Sequence, residues 1–404
     1  MKNKIIMGVL CLAVFFLMVG CNGKNKKNET SNDVKTESVK KADNGEKRKK
    51  EKKEEEETEL DKLQSRNYKL KGYTIITPYV QIILTSDGKV LAKGENTYGQ
   101  LGNGKRIDSE SWSKVVGLEN VVGIYSLGNI GNDVSDENGY GHCYALNSSG
   151  ELYRWGGNIL KPEKVELFSK IKEVKSLTSY ELFVKCESGE KYIITRRFNE
   201  DNDDSIYSYN SLPDSAEIYG YGDAFIVCNN DEVSFVDAPD LVTIRAFGEI
   251  LPLEDKIKNI IPVDISEKIE DVIPCRYKGF GGATIMTEEG SVLVLSYQNG
   301  KMEVKDMEGI GVKKASFNAT DVLLAYGGTI STRGDNEYGQ LGDGTTDDYK
   351  EGFLEIEETN FEDFEYDGLN EYCIALDEEY NIWGWGKGIG SSPSIIVEQS
   401  DFLN

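Results

Sequence analysis

The segment GENTYGQLGNGK at 94–105 is the first stretch whose residue types and spacing could bind a ligand. Gly99 is followed by four residues and then by Gly104-Lys105. This spacing reproduces most of a phosphate-binding loop, in which backbone N–H groups and a lysine hold phosphates. Arg106, however, stands where serine or threonine would hold magnesium. A second copy, GQLGDGTT at 339–346, has threonine in place of the lysine. The sequence therefore predicts no nucleotide at this loop, and it indicates no other cofactor.

His142 is the only histidine in the chain. Any mechanism that needs a histidine base or several histidine metal ligands must use it, so Ser-His-Asp hydrolysis and zinc catalysis are disfavoured. Its alignment with the strand starts of other repeats predicts a strand residue beside a loop.

Two acidic stretches could attract calcium by charge alone, one at 200–204 and one that contains Asp343, Asp347 and Asp348. Neither has the spaced Asp-x-Asp-x-Asp-Gly pattern of a calcium loop. Solvated loop charge is the prediction for both.

Five cysteines follow residue 21, namely Cys143, Cys186, Cys228, Cys275 and Cys373. Their odd number and their dispersal over different repeats argue against a disulfide framework. We expect them to be small buried apolar residues.

The formal net charge of −24 is unevenly distributed along the chain. Residues 1–65 carry 15 basic and 12 acidic side chains, whereas residues 66–404 carry 31 basic and 58 acidic ones. A body this acidic repels phosphate backbones, so nucleic-acid binding is disfavoured. A basic protein partner would match the charge.

Residues 1–21 begin with basic side chains, continue as an apolar run from 5 to 19 and end in Gly20-Cys21. This pattern predicts an export signal, which is too short for a stable membrane span. The Gly20-Cys21 ending resembles the lipobox of bacterial lipoproteins. That resemblance implies acylation of Cys21 and a lipid-anchored protein at the cell membrane, facing the extracellular side. A signal peptide without a lipid, or a membrane anchor, is the alternative.

Residues 22–66 are rich in charge and contain almost no large apolar side chains. Such a segment cannot bury enough surface to offset the entropy lost on ordering, so it is predicted to be a disordered charged tether. Its expected role is to hold the folded body, residues 67–404, away from a membrane surface.

The body repeats one unit seven times. Each copy is an alternating apolar strand, a tight two-residue turn and a second strand, which is a hairpin signal. The turns lie roughly 40–60 residues apart, at Gly88, Gly150, Gly189, Asp231, Gly290, Gly328 and Tyr380.

Apolar segments before each hairpin supply a third strand, and segments between the units supply a fourth. Four strands in each of seven units, with about 48 residues per unit, predict an all-β, seven-bladed β-propeller. A propeller has to close its ring to avoid exposed edge strands. The tail segment at 393–398 is predicted to complete the first blade, whose start near Leu70 lacks a fourth strand.

Two units carry long matching turns, GENTYGQLGNG at 94–104 and GDNEYGQLGDGTTDD at 334–348. Two others keep the beginning of this motif, WGGN at 155–158 and WGWGKGIG at 383–390. These residues resemble the repeat of the regulator of chromosome condensation family. The resemblance implies a propeller of that type over about 70–404.

Equivalent residues in the two full turns are expected to serve the backbone rather than a ligand. Glycines supply positive φ angles, asparagines bond to the local backbone, and a leucine fills the space between blades. The positions are Gly94, Asn96, Gly99, Gln100, Leu101 and Gly102 in the first copy and Gly334, Asn336, Gly339, Gln340, Leu341 and Gly342 in the second.

The family resemblance implies a protein that docks partner proteins through face loops or the channel rim. Family members that exchange nucleotides on a small GTPase or bind chromatin do not suit an exported, acidic chain. We therefore expect a surface-anchored lipoprotein whose propeller binds an unknown protein partner as a monomer, without catalysis. Candidate contact regions are 125–142, 199–212 and 355–365.

The alternative function is that of a cell-wall carbohydrate-binding protein or a wall-active enzyme. It would need acidic and aromatic residues around a pocket on one face, with two carboxyl groups roughly 5–10 Å apart. A purely structural spacer is the third possibility.

Overall fold

The computed structural model describes residues 70, 72, 74–128, 130, 141–196, 204–221, 224–230, 232–238, 250–277, 280–307, 312–356, 358–367 and 371–398. They form seven sheets, each built mainly from consecutive antiparallel strands. The predicted all-β, seven-bladed propeller is therefore confirmed. We number the sheets as blades 1–7 in chain order and call the contact between neighbouring blades a seam.

Blades 1–3 contain twelve consecutive strands, β1 (Thr74–Ile76), β2 (Val80–Leu84), β3 (Val90–Gly94), β4 (Ser109–Lys114), β5 (Val121–Leu127), β6 (His142–Asn147), β7 (Leu152–Gly156), β8 (Ile159–Lys164), β9 (Ile171–Thr178), β10 (Glu181–Cys186), β11 (Lys191–Thr195) and β12 (Ser205–Ser208). Blades 4 and 5 contain β13 (Glu217–Gly220), β14 (Ala224–Asn229), β15 (Glu232–Asp237), β17 (Asn259–Val263), β18 (Ile269–Tyr277), β19 (Phe280–Thr287), β20 (Val292–Gln298) and β21 (Lys301–Asp306). Blades 6 and 7 contain β22 (Lys314–Ser316), β23 (Thr320–Leu324), β24 (Ile330–Gly334), β25 (Tyr349–Ile356), β26 (Phe361–Asp367), β27 (Tyr372–Asp377), β28 (Ile382–Gly386) and β29 (Gly390–Val397).

The first strand of each blade lies on the inner side of the ring. First strands of neighbouring blades contact one another, as β1 does with β5 and β13 does with β18. Fourth strands such as β8 and β21 are mostly exposed. Apolar side chains on alternate strand positions therefore pack between blades, and the hydrophobic core is divided among the seams.

The hairpin turns differ from the predicted two-residue loops in six of the seven blades. In blade 1 the Gly88 N–H donates to the Thr85 carbonyl (3.0 Å), while the Thr85 N–H donates to the Lys89 carbonyl (2.9 Å). This is a four-residue turn followed by a bulge residue, and Gly88 adopts φ +79° there. Tyr380 holds the same position in blade 7 with φ +65°.

The predicted role of the tail is wrong. Residues 393–398 do not complete blade 1, because β29 pairs with β28 and is the fourth strand of blade 7. Blade 1 already has four strands of its own. The ring closes instead by packing, since Ile76 and Ile83 of blade 1 share one apolar cluster with Val397.

Blade 3 receives an extra strand that the sequence pattern did not indicate. After β15 the chain leaves blade 4, and β16 (Ile250–Pro252) pairs in parallel with β12 on the outer edge of blade 3. A short 3-10 helix (Leu253–Lys256) follows, and its Leu253 is fully buried in an apolar cluster formed by side chains of blades 3 and 4. The chain then returns to blade 4 as β17, so β16 and this helix strap blades 3 and 4 together.

Prolines protect four of the outer strands from pairing with other chains. They lie on β8, β16, β17 and β29, at Pro162, Pro252, Pro262 and Pro393. Proline has no N–H to offer, and natural sheets use it on exposed edges.

No helix in the part of the chain that the structure describes is long and apolar enough to cross a membrane. Residues 1–69, which include the predicted export signal, Cys21 and the whole predicted tether at 22–66, lie outside the described residues.

Candidate functional site

The connections of the propeller emerge at its two ends, which carry different residues. One end bears the hairpin turns between second and third strands together with the chain segments that join successive blades. We call it the hairpin-turn face. The other end bears the two GQLG loops, and we call it the loop face.

Asn96 organises the first GQLG loop from a fully buried position. Its Oδ1 accepts the Leu101 N–H (2.9 Å), and its Nδ2 donates to the carbonyl groups of Lys105 (3.0 Å) and Ile107 (3.2 Å). The Asn96 N–H donates to the carboxylate of Asp108 (2.8 Å). The Asn96 amide thus satisfies backbone groups across the whole loop.

The loop of blade 1 also fills the seam with blade 2. The Trp155 indole N–H donates to the Gln100 carbonyl (2.8 Å), and Leu101 is buried in the cluster that contains Trp155. A Cβ on Gly102 would lie 2.7 Å from Val115 and 2.9 Å from the Trp155 ring. Glycine is required at position 102 for two reasons. The Trp155 ring approaches the backbone closely, and the residue adopts a φ of +57°.

The second loop repeats this arrangement between blades 6 and 7. The Leu341 N–H donates to Asn336 Oδ1 (2.9 Å), and the Trp385 indole N–H donates to the Gln340 carbonyl (3.1 Å). A Cβ on Gly339 would meet Ser391, and one on Gly342 would meet Trp385. Gly94 and Gly334, at the strand ends that open the two loops, each lie against a backbone carbonyl of the adjacent strand connection.

The carboxylates of the second loop bond within the loop. Asp343 Oδ1 accepts the Thr345 N–H (2.9 Å), while Asp348 accepts the Asn336 N–H (2.9 Å) and pairs with Lys350 (3.0 Å). Among the described residues, no group of three or more histidine, cysteine or acidic side chains is placed to hold a metal ion. Residues 200–203 lie outside the described part of the chain.

His142 belongs to a buried charged cluster in the seam between blades 2 and 3. Its Nδ1 lies 2.7 Å from Asp204 Oδ2, and Arg196 Nη1 donates to Asp204 Oδ1 (3.0 Å). The Tyr144 hydroxyl also donates to Asp204. The exposed fraction is 0% for Asp204, 2% for His142 and 7% for Arg196, so the cluster is closed to solvent.

The electrostatics of this cluster follow from the partners of Asp204. Burial by itself would raise the pKa of the Asp204 carboxyl, but His142 and Arg196 outweigh burial and hold that pKa well below its ordinary value. Burial and the neighbouring Asp204 charge raise the pKa of Tyr144 well above its usual range. The arrangement joins two blades by ion pairing. Unlike the seams between blades 1 and 2 and between blades 6 and 7, this seam is not filled by a GQLG loop.

The hairpin-turn face is strongly acidic. Its described connections carry fifteen carboxylates, namely Asp87, Glu119, Glu151, Glu166, Glu187, Glu190, Asp214, Asp264, Glu267, Glu288, Glu289, Glu358, Glu378, Glu379 and Glu398. They carry four basic side chains, Lys89, Lys170, Lys268 and Lys313, and each of these forms an ion pair with a carboxylate. The lysines therefore do not offer the face a positive patch.

The loop face has a smaller excess of negative charge. Outside residues 250–258, which include the strap, its described connections carry nine acidic side chains, Glu95, Asp108, Asp204, Asp335, Glu337, Asp343, Asp347, Asp348 and Glu371. They carry four basic ones, Lys105, Arg106, Arg196 and Lys387. The net charge of the described connections is thus about twice as negative on the hairpin-turn face.

Backbone hydrogen bonds hold the hairpin-turn face in a repeated geometry. The first amide of a blade donates to the turn glycine of the preceding blade, as Val121 does to Gly88 (3.0 Å) and Phe361 does to Gly328 (2.7 Å). The hairpin turns of blades 1, 2 and 6 are fixed to the next blade in this way. The turns of blades 5 and 7 bond instead to the connection that precedes their own blade, through the Glu288 N–H to the Lys268 carbonyl (2.9 Å) and the Glu378 N–H to the Asn360 carbonyl (3.2 Å).

The candidate contact regions from sequence fall in different places. Most of 125–142 lies outside the described residues, and the described ends of it are β5 and the start of β6. In 199–212, residues 204–208 form part of the charged cluster and β12. The acidic run 355–365 is no loop, because it spans the end of β25, a short connection on the hairpin-turn face and most of β26.

The described cysteines are all free thiols. Cys143, Cys186, Cys275 and Cys373 are buried, and Cys228 is half-buried. Burial raises the pKa of the Cys228 thiol to about 11.

The search against family models finds no match. Among curated proteins the chain is similar to the secretion-regulating guanine nucleotide exchange factor of Bos taurus, with 26% identity over 292 residues. The match covers 66% of this chain and 56% of the relative, so the chain spans little more than half the length of that protein.

Among solved structures the chain is similar to Prp20p from Saccharomyces cerevisiae, described with its binding properties to Gsp1p and histones. The TM-score is 0.50 at 13% identity, with 81% of this chain and 83% of Prp20p covered. The structure of Kap60 bound to yeast RCC1 (Prp20) gives a TM-score of 0.46 at 14% identity, covering 81% of each chain. The fold is therefore an RCC1-type seven-bladed propeller, as the repeat motif predicts.

Proposed function

We propose that this chain is a lipid-anchored surface protein whose propeller binds a basic protein partner on its hairpin-turn face, without catalysis. The observation that supports the binding role is the excess of carboxylates on the described connections of the hairpin-turn face. Carboxylates such as Glu288 and Glu378 lie on short turns whose backbone bonds to the connection before the same blade, so a partner can bind them without first ordering a long loop. Clustered negative charge steers and orients a positively charged protein surface.

The proposal is tested with the full-length chain and a lysine-rich peptide as a defined probe. Neutralising four exposed carboxylates together, Glu288→Gln, Glu289→Gln, Glu378→Gln and Glu379→Gln, is expected to weaken binding roughly tenfold, since each exposed charge contributes a few tenths of a kcal/mol. Binding should also weaken as salt is raised from about 0.05 M to 0.5 M.

The matched control neutralises carboxylates on the loop face, Glu337→Gln with Asp347→Asn, and should leave the affinity within about twofold. Because the control removes two charges and the test set four, the loss of binding free energy is compared per neutralised charge. Equal loss per charge in both sets would show that only the overall charge matters and would refute the assignment to one face. Capture from membranes and medium with wild-type and neutralised chains, followed by mass spectrometry, then identifies natural partners that depend on the face.

The lipid anchor rests on the sequence of residues 1–21 and is tested separately. Growth with a fatty-acid analogue should label the wild-type chain and leave a Cys21→Ala chain unlabelled. Equal labelling of the two chains would contradict acylation at Cys21. The extracellular orientation is expected to make the propeller accessible to protease added to intact cells.

Nucleotide exchange is a second candidate function, and the similarity to a protein named as an exchange factor favours it. It predicts that the purified chain accelerates release of a fluorescent guanine nucleotide from a small GTPase. An unchanged release rate would leave partner binding as the function to pursue.

A further inference from the structure

The two GQLG loops share one backbone arrangement but differ in the charge of their exposed tips. At equivalent positions the first loop has a basic or apolar residue where the second has a polar or acidic one. The pairs are Lys105 and Thr345, Arg106 and Thr346, and Ile107 and Asp347. All six side chains are exposed. The buried asparagine makes the same backbone bonds in both loops although these residues differ, so the shared fold does not explain the difference.

The neighbouring blade extends this contrast. Beside the first loop, the Gly104 N–H donates to the Leu160 carbonyl (2.8 Å), and Lys161 follows on β8. Lys161 Cε lies 2.5 Å from the position of a Cβ on Gly104, so the lysine runs along the loop. Beside the second loop, the Gly344 N–H donates to a serine carbonyl (2.8 Å), and another serine follows, at 391 and 392. We call residues 105–107 with Lys161 the basic corner.

The three cations of the basic corner are not neutralised by described carboxylates. Arg106 Nη1 donates to the Thr97 carbonyl (2.7 Å) and to Asn158 Oδ1 (2.9 Å), which are both uncharged acceptors. Lys105 and Lys161 form no ion pair with a described residue. The four lysines of the hairpin-turn face, in contrast, all pair with carboxylates. The basic corner therefore offers its positive charge to a partner.

Apolar side chains accompany these cations. Ile107 is 70% exposed in the middle of the basic corner. Tyr79, which is 41% exposed, lies at the base of the same loop, because a Cβ on Gly94 would meet its carbonyl group. The equivalent contact of Gly334 is with Ala319. Ile107 thus stands out from the loop between charged neighbours, where it can enter a soft boundary without a fitted pocket.

An anionic membrane surface matches this combination. Ammonium and guanidinium groups are attracted to lipid phosphates, while an exposed apolar side chain enters the boundary between headgroups and acyl chains. Tyrosine is enriched at the same depth.

We propose that the basic corner binds an anionic lipid surface. Lys105, Arg106 and Lys161 meet the lipid phosphates, and Ile107 enters the headgroup boundary. This contact rests on the proposed lipid anchor, which keeps the chain beside a membrane so that a weak contact suffices. It turns the loop face toward the membrane and leaves the hairpin-turn face open to the basic partner.

The acidic second loop does not oppose this contact. It lies at the seam between blades 6 and 7, two blades away from the basic corner. Two blades span roughly 20 Å at the spacing of packed sheets. Charges are screened over about 8 Å at physiological ionic strength, so the membrane charge beside the basic corner has little effect on the second loop.

The test measures flotation with vesicles, using full-length chains that all carry Cys21→Ala so that acylation contributes nothing to the affinity. Phosphatidylglycerol vesicles should bind the chain about tenfold more tightly than phosphatidylcholine vesicles do. Replacing Lys105→Thr, Arg106→Thr and Ile107→Asp together gives the first loop the residues that the second loop accommodates. This loop swap should lower the affinity for the anionic vesicles by about tenfold or more. An Ile107→Ser chain keeps every cation and should lose about threefold.

The matched control makes the same charge change on β21 of blade 5, on the opposite side of the ring. Lys301→Thr, Val304→Asp and Lys305→Thr remove two cations and an exposed apolar residue and add one carboxylate. The control should keep the vesicle affinity within about twofold. Equal losses in the loop swap and the control would show that only net charge matters and would overturn the proposal. Unchanged vesicle affinity after the loop swap would also overturn it.

Binding to a polyglutamate peptide examines the competing occupant. A loop swap that abolishes peptide binding and keeps vesicle binding would assign the basic corner to an acidic protein and would overturn the lipid assignment. The lysine-rich peptide separates this proposal from the proposed partner face, because the loop swap should change its affinity by no more than about twofold. Vesicle binding that depends on the basic corner supports the membrane contact even if the lysine-rich peptide fails to bind.

Discussion

The seams on the two sides of blade 2 are held by opposite means. Toward blade 1, a loop rich in glycine inserts backbone groups, and one buried asparagine and one tryptophan satisfy them. Toward blade 3, the charged side chains of Asp204 and Arg196 meet a histidine in a closed space. The first seam depends on backbone shape and the second on charge. Loss of one member should therefore have different consequences in the two seams.

The largest effect is expected in the charged seam. The Asp204→Asn substitution removes the carboxylate that pairs with buried Arg196, and breaking such a buried pair costs about 3–5 kcal/mol. The free energy of unfolding, measured by urea titration, should fall by that amount. Glu187→Gln is the control, because its pair with Lys170 is about half exposed, and it should change stability by less than about 1 kcal/mol. Equal effects of the two substitutions would contradict a special role for the buried cluster.

The loop seam should respond most strongly to a side chain added at Gly102. A Cβ there meets Val115 and Trp155, so Gly102→Ala is expected to cost about 2–4 kcal/mol in the free energy of unfolding. Gly117→Ala is a matched control, since Gly117 has φ +77° but nothing within 4 Å of its Cβ position. It should cost only about 1 kcal/mol. If the two cost the same, backbone conformation and not close packing would explain the repeated geometry of the loop.

The twin loops allow the same comparison to be made twice within one molecule. Asn96→Ala and Asn336→Ala remove equivalent networks of buried hydrogen bonds, and each should cost about 2 kcal/mol. Thermal unfolding of the two single variants and the double variant measures this. Because the loops are on different blades, the two losses should add within about 0.5 kcal/mol. A large loss from only one of them would show that the motif serves different purposes in blades 1 and 6.

The same contrast explains what the sequence could predict. Backbone devices require particular residues at fixed spacing, so the hairpin turns, the seven blades and both GQLG loops are visible as repeats. The sequence does not predict which blade each GQLG loop packs against, although Trp155 and Trp385, which contact the loops, occur at equivalent places in WGGN and WGWG.

The charged cluster could not be predicted, because Asp204 lies 62 residues from His142 and its position is set only once blades 2 and 3 pack. The strap formed by β16 could not be predicted for the same reason, since its parallel pairing with β12 joins segments more than 40 residues apart. The tail segment at 393–398 was assigned to the wrong blade because alternating apolar residues fit the fourth strand of either neighbour. Long-range pairing between degenerate units leaves no local signal.

The smallest expected effect distinguishes the two seams by pH. The pKa of Asp204 is lowered in the folded protein from an ordinary value of 3.8. Its contribution to stability is therefore complete above that value and is lost as pH falls toward the folded-state pKa. Between pH 6 and pH 3 the stability difference between wild type and Asp204→Asn should shrink by about 1 kcal/mol. The difference between wild type and Gly102→Ala should stay constant, because no titrating group is involved. Urea midpoints at both pH values measure this, and a parallel decline in the two differences would show that acid weakens the whole ring and not the charged seam.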